Sequence, residues 1–163
     1  MLPADIQIAA QRLVGLYDTA GLKIVTAESC TGGLLAATIT DVPGSSAVLE
    51  RGFVTYSNEA KMDALGVSRN LLATYGAVSG PVAIAMADGA LRHSRADVAI
   101  SITGIAGPGG ATDSKSVGLV HLAVARTDRP TLDVVCRFGN IGRNLVREAA
   151  VRRAFEMLAE VLT

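Results

Sequence analysis

The sequence TAESCTGG at residues 26–33 most constrains how this chain can fold. Residues 22–25, which precede it, are apolar and partly β-branched, and this pattern predicts a buried strand. Residues 34–39, which follow it, predict the apolar core of a helix. A strand that turns sharply into a helix leaves the first N–H groups of the helix without partners, and the helix dipole there favours negative charge. The motif therefore predicts a strand–turn–helix unit that can hold an anion.

Ser29, inside this turn, has two interpretations. Its hydroxyl could attack a carbonyl carbon while the N–H groups of residues 30–33 receive the developing oxyanion. It could also be one of several small residues that cap a helix packed through glycines. Cys30 is a rival nucleophile, because a helix N-terminus lowers the pKa of a thiol. Adjacent residues in a turn point in different directions, so at most one of the two should face a site.

Apolar periodicity predicts the elements along the whole chain. Helices are predicted at residues 5–20, 31–40, 58–65, 68–75, 79–94 and 143–162, and strands at 22–26, 47–56, 97–103, 116–125 and 131–138. This order predicts an α/β fold, a three-layer α/β/α sandwich around a mixed, mostly parallel sheet. The 163 residues, half of them apolar, suit a single domain with an aliphatic core.

Polar or small residues follow three of the predicted strands: Glu28 and Ser29 after the first, residues 56–58 after the second, and residues 103–104 after the third. The carboxyl ends of parallel strands lie along one edge of a sheet, where ligands of such folds bind. Lys61 follows Ser29 by about one strand–helix–strand crossover. Its long side chain could therefore reach back to Ser29.

A serine nucleophile needs a base. His93 lies near a predicted helix end and His121 inside a predicted strand, and neither adjoins a polar cluster. Lys61 is then the remaining candidate, and Tyr56 could shuttle its proton or hold it. An ordinary lysine has a pKa of about 10.4, so burial or a nearby positive charge would have to lower it. The alternative is that Lys61 is a solvated helix residue and that Tyr56 packs on the sheet.

The loop at residues 104–110 is the most glycine-rich segment, and it could either cradle a phosphate or simply join two strands. It lacks the P-loop pattern of nucleotide hydrolases. No His, Cys or carboxylate cluster suggests a metal, and Lys plus Arg equals Asp plus Glu at 15 each, unlike a nucleic-acid-binding protein. Without a signal peptide, a membrane-spanning segment or a disulfide framework in the sequence, we expect a cytoplasmic protein.

Five segments, taken together, resemble the CinA C-terminal domain family. They are residues 26–33, 55–61, 76–79, 103–110 and 117–118, and they occur in the family's order. The resemblance implies one domain over residues 1–163, without the amino-terminal domain of longer CinA proteins. It also implies a cofactor-free amidase that converts nicotinamide mononucleotide and water into nicotinate mononucleotide and ammonia. The alternative is a non-catalytic nucleotide-binding or interaction protein linked to competence or DNA damage.

The resemblance further implies that Ser29 is the nucleophile, that Lys61 activates it, and that Tyr56 lies beside them. Ser29, Tyr56, Lys61 and Thr103 should then line one pocket. Arg143 and the glycine loop should receive the nucleotide phosphate, with Arg143 coming from the same chain or from a partner subunit. The last helix could cover the sheet or support a homo-oligomer. The expected substrate contacts are Glu28, Cys30, Thr31, Gly32, Gly33, Thr103, Gly104, Ile105, Ala106, Gly107 and Arg143.

Overall fold

The computed structural model describes residues 2–163, which form six α-helices and five β-strands. The elements in chain order are α1 (Ala4–Ala20), β1 (Ile24–Glu28), α2 (Leu34–Thr40), β2 (Leu49–Val54), α3 (Asn58–Leu65), α4 (Arg69–Tyr75), α5 (Gly80–Arg92), β3 (Val98–Gly104), β4 (Leu119–Arg126), β5 (Arg129–Arg137) and α6 (Arg143–Glu160). A short 3₁₀ turn at Ser45–Ala47 precedes β2.

The strands form one mixed sheet in the order β2-β1-β3-β4-β5. Strand β1 pairs in parallel with both β2 and β3, while β4 is antiparallel to β3 and to β5. Every strand except β4 therefore runs in the same direction, which confirms the mixed, mostly parallel sheet. Strand β1 is buried along its whole length, as expected for a central strand covered on both faces.

The helices cover both faces of the sheet and complete the three layers. Helices α1, α2 and α6 enclose a core on one face that includes Leu13, Ile39 and Leu158. Helices α3, α4 and α5 enclose a second core on the other face that includes Leu65 and Met86. Each helix presents one apolar stripe to the sheet, so the layered α/β/α fold follows from its periodicity.

The serine turn is longer than the sequence predicted. Strand β1 continues to Glu28, and α2 begins at Leu34 rather than at residue 31. Gly32 and Gly33 have φ angles of 58° and 96°, a left-handed conformation that a right-handed helix excludes. Residues 29–33 are therefore an irregular turn between the strand and the helix.

The hairpin is tighter than predicted. Strand β4 begins at Leu119 and not at residue 116, and only residues 127–128 separate it from β5. Gly118, just before β4, has a φ angle of 89°, and a Cβ at this position would overlap the backbone of Gly139. This close backbone contact ends the loop and sets the start of the strand.

Candidate active site

The carboxyl ends of β1, β2 and β3 meet at one edge of the sheet, and a cavity of about 300 Å³ lies there. The sequence-predicted residues Ser29, Tyr56, Lys61 and Thr103 all line this cavity. The full lining is Ser29, Cys30, Tyr56, Lys61, Ala77, Val78, Thr103, Gly104, Ile105, Ala106, Gly107, Gly109, Gly110 and Arg143. The cavity therefore lies where open parallel sheets bind their ligands.

Lys61 reaches Ser29 from the first turn of α3. Ser57 begins that helix, because its side chain accepts a hydrogen bond from the N–H of Ala60. The Lys61 Nζ lies 3.1 Å from Ser29 Oγ and 2.9 Å from the carbonyl oxygen of Thr55. The side chain is almost completely buried, with 1% of the residue exposed. Burial lowers the pKa of Lys61, because an ammonium loses its hydration there.

Cys30 lines the cavity beside Ser29, but its thiol has a different character from the one predicted. The residue is 6% exposed, and burial raises the pKa of Cys30 to about 11. The prediction that a helix N-terminus lowers this pKa is wrong, because α2 begins only at Leu34. At neutral pH Cys30 is therefore a protonated thiol, which is a poor nucleophile.

The N–H groups of the serine turn are not all available to a ligand. The N–H of Gly32 donates to the carbonyl oxygen of Ser29 at 3.0 Å. Within residues 2–163, the N–H group of Cys30, which follows Ser29 directly, donates to no backbone carbonyl oxygen, and Cys30 lines the cavity. This donor is the one that an oxyanion on a group attacked by Ser29 could use.

Glu28, predicted to contact substrate, does not line the cavity. Its carboxylate oxygens accept the N–H groups of Leu35 and Ala36 at 2.9 and 3.0 Å, and the residue is fully buried. The carboxylate therefore satisfies the open N–H groups at the start of α2. Thr31, Gly32 and Gly33 also lie outside the lining; Thr31 is fully buried, and all three belong to the turn that runs on to Leu34.

Arg143 and Tyr56 meet at the mouth of the cavity. The Arg143 guanidinium donates to the carbonyl oxygen of Gly107 at 2.8 Å and to the hydroxyl of Tyr56 at 3.0 Å. Arg143 begins α6, so it reaches the site from its own chain. The Tyr56 hydroxyl faces Arg143, and it is the carbonyl oxygen of Tyr56 that lies 3.4 Å from Lys61 Nζ.

Two further segments complete the walls. The glycine loop contributes Gly104, Ile105, Ala106 and Gly107 as expected, together with Gly109 and Gly110. Ala77 and Val78 also line the cavity, and the Thr103 hydroxyl holds their segment by donating to the carbonyl oxygen of Ala77 at 2.9 Å. Ala77 and Val78 were not among the residues predicted for the site. The only signal for them was their place in the 76–79 segment of the family resemblance.

The remaining candidate groups lie elsewhere. His93 and His121 are not in the cavity lining, and the Nδ1 of His93 lies 2.8 Å from the carbonyl oxygen of Gly89. Among residues 2–163, no three His, Cys, Asp or Glu side chains cluster closely enough to hold a metal. None of the helices in this range has the length and apolar character needed to cross a membrane.

The fold and the cavity define an α/β domain with a buried serine–lysine pair at the carboxyl edge of its parallel strands. The family model of the CinA C-terminal domain matches residues 6–162, so the chain belongs to that family.

Curated relatives agree with this assignment. A competence-damage inducible protein from Caldicellulosiruptor saccharolyticus is 49% identical over 158 residues, which are 97% of this chain and 38% of that protein. A protein of the same name from Acetivibrio thermocellus is 43% identical over 97% of this chain and 41% of its own length. The chain thus spans about two fifths of the length of these relatives.

Solved structures match over nearly the whole chain. The competence/damage inducible protein CihA from Agrobacterium tumefaciens has a TM-score of 0.98 and 50% identity, and the match covers 100% of this chain and 99% of that one. A CinA superfamily protein from Escherichia coli has a TM-score of 0.91 and 35% identity over 99% of this chain and 94% of that one. The domain fold of these proteins is therefore that of this chain.

Proposed function

We propose that this domain hydrolyses the carboxamide of nicotinamide mononucleotide to give nicotinate mononucleotide and ammonia. The observation that carries the proposal is the buried 3.1 Å contact between Lys61 Nζ and Ser29 Oγ in a cavity at the sheet edge. A hydroxyl within hydrogen-bond reach of a buried base is the arrangement that nucleophilic catalysis requires. Membership of the CinA C-terminal domain family supports the same reaction.

The surroundings of Lys61 favour its neutral form. A neutral amine has two N–H donors and one lone pair. Nζ donates to the carbonyl oxygens of Thr55 and Tyr56 at 2.9 and 3.4 Å and to Ser29 Oγ at 3.1 Å. Loss of one proton from Nζ keeps the two carbonyl contacts and leaves the lone pair to accept the Ser29 hydroxyl proton. Burial lowers the pKa of Lys61 in the same direction. Lys61 is therefore suited to take a proton from Ser29.

The proposed reaction proceeds in two halves. Ser29 Oγ attacks the carboxamide carbon while its proton passes to Lys61 Nζ, and the N–H group of Cys30 receives the developing oxyanion. Lys61 then protonates the nitrogen, the C–N bond breaks, and ammonia leaves an acyl group on Ser29. Water attacks this ester, gives its proton to Lys61, and releases the carboxylic acid as Ser29 regains its proton.

Arg143 and the glycine loop suit the phosphate of the substrate. The guanidinium lies at the mouth of the cavity, held by Gly107 and Tyr56, and it can pair with two phosphate oxygens at once. The cavity volume of about 300 Å³ is at the small end of the range for ligand sites, which favours a mononucleotide over a dinucleotide. We assign the carboxamide to the buried end, at Ser29, and the phosphate to the open end.

Ammonia release from nicotinamide mononucleotide by the purified protein tests the proposal. We expect turnover by the wild-type chain and none above background by Ser29→Ala, which controls for a contaminating amidase. Binding of the nucleotide without turnover would reject the amidase and support the non-catalytic alternative. That alternative is consistent with relatives named only as competence-damage inducible proteins.

A further inference from the structure

Arg147 holds the serine turn from outside the cavity. It lies one helical turn after Arg143 on α6, and its Nη2 donates to the carbonyl oxygen of Thr31 at 2.9 Å. Arg147 does not line the cavity, and its Nε is enclosed by protein. Helix α6 therefore brings one arginine to the mouth of the cavity and a second to the turn that carries Ser29.

The peptide unit between Thr31 and Gly32 is held both at its carbonyl oxygen and at its N–H group. The Thr31 carbonyl oxygen accepts from Arg147 and also from the N–H of Leu34 at 3.0 Å. The N–H of Gly32, in the same peptide unit, donates to the carbonyl oxygen of Ser29 at 3.0 Å. A charged donor polarises such a chain of hydrogen bonds and strengthens it. The peptide plane between Thr31 and Gly32 is thereby tied to the backbone of Ser29.

We propose that Arg147 is a positioning residue of this site, which acts by holding the peptide between Thr31 and Gly32, and through it the Ser29 carbonyl, so that the N–H group of Cys30 faces the carbon that Ser29 attacks. The inference rests on the amidase function proposed above. Gly32 has a left-handed φ of 58°, a conformation that glycine leaves easily, so the turn needs an external contact to keep one shape. Arg147 provides that contact without lining the cavity.

The two arginines of α6 should therefore affect different kinetic constants. Arg143 would bind substrate, whereas Arg147 touches only the protein and would act on the transition state through the turn. A small misplacement of groups around the reacting atoms can cost about 10²-fold in rate. We expect Arg147→Ala to lower kcat by about this factor and to change KM by less than about threefold. Arg147→Lys, which keeps the charge and much of the reach, should restore part of the loss.

Arg153→Ala is the matched control. Arg153 lies on the same helix, but its guanidinium pairs with Glu156 and Glu160 at 2.7 and 3.0 Å and does not line the cavity. We expect its kcat and KM to equal those of the wild type. A kcat for Arg147→Ala that is unchanged, or that falls no further than that of Arg153→Ala, would overturn the proposal. A rise in KM alone would do the same.

Hydrogen exchange gives a readout that does not depend on the amidase. In Arg147→Ala we expect the Gly32 amide to exchange at least about tenfold faster, while amides in β1 keep their protection. Unchanged exchange at Gly32 would overturn the positioning role even if kcat fell. If the wild-type protein released no ammonia, the proposed function would fail, and exchange at Gly32 would still decide whether Arg147 holds the turn.

Discussion

At the scale of single residues, the most informative feature is that Lys61 is buried without a carboxylate partner. This burial decides which protonation state of Lys61 the site favours. Within residues 2–163 no Asp or Glu lies within ion-pair distance of its Nζ, and the residue is 1% exposed. A buried ammonium without a counter-ion is costly, so the site favours the neutral amine. The same burial that penalises the charge creates a base beside Ser29.

The pH dependence of kcat/KM should report this base. Because Lys61 must be neutral to accept the proton of Ser29, kcat/KM rises as the pH rises through the Lys61 pKa. Burial lowers that pKa, so we expect the midpoint of the rise to lie below about pH 10.4, the ordinary value for lysine. Cys30→Ala should give the same profile. A midpoint at or above the ordinary lysine pKa would contradict the assignment.

Ser29→Ala tests the nucleophile. The substitution should leave nucleotide binding by calorimetry nearly unchanged, because the lost hydroxyl is small, and should lower kcat by about 10³-fold or more. Ser29→Ala combined with Lys61→Ala should be little worse than either single substitution, because the pair acts as a unit. Cys30→Ala should keep most activity, since burial holds the pKa of this thiol at about 11. Turnover that is kept by Ser29→Ala and lost in Cys30→Ala would identify a thiol amidase.

At the scale of elements, the start of α6 closes the mouth of the cavity. Arg143→Ala removes the contacts to Gly107 and Tyr56, and it removes the positive charge that we propose binds the substrate phosphate. Phosphate binding stabilises the ground and transition states about equally, so we expect KM to rise by a larger factor than kcat falls. Steady-state kinetics with nicotinamide mononucleotide measure the split. A loss confined to kcat would show that Arg143 has another role.

Helices α3 and α5 approach closely at Gly89, and this contact supports the helix that carries Lys61. A Cβ at position 89 would overlap the carbonyl group of Leu65, the last residue of α3. Gly89→Ala should therefore lower the free energy of unfolding by about 1–3 kcal/mol, as overpacking does. Gly15→Ala in α1 is the matched control, because a Cβ there meets no atom within 4 Å. It should raise stability by about 0.5–1 kcal/mol, and urea denaturation of both variants compares them.

At the scale of the whole molecule, stability should be greatest in the centre of the sheet. Strand β1 is completely buried and β3 nearly so, whereas β5 is an edge strand with Leu132 and Val135 largely exposed. Native-state hydrogen exchange should therefore be slowest in β1 and β3 and should reach the global free energy of unfolding there. Amides in β5 should exchange faster through local opening. Equal protection in β1 and β5 would contradict this order.

Much of the fold follows from local patterns. The apolar periodicity of residues 5–20 and 143–162 predicts α1 and α6 almost to their ends, since a helix records its buried face every three or four residues. The serine turn was predicted less well. Its length depends on the left-handed conformation of Gly32 and Gly33, because α2 can begin only after them, at Leu34.

The layered α/β fold and the residue types at the carboxyl edge of the sheet could be predicted from local patterns, because they depend on periodicity and on short turns. The carboxylate of Glu28 binding the start of α2, the burial that raises the pKa of Cys30, and the buried contact of Lys61 with Ser29 arise only when the chain is folded. Arg147 and Thr31, which are 116 residues apart, meet only when α6 packs on the sheet. Burial and contacts of this kind depend on segments far apart in the chain, so no local pattern records them.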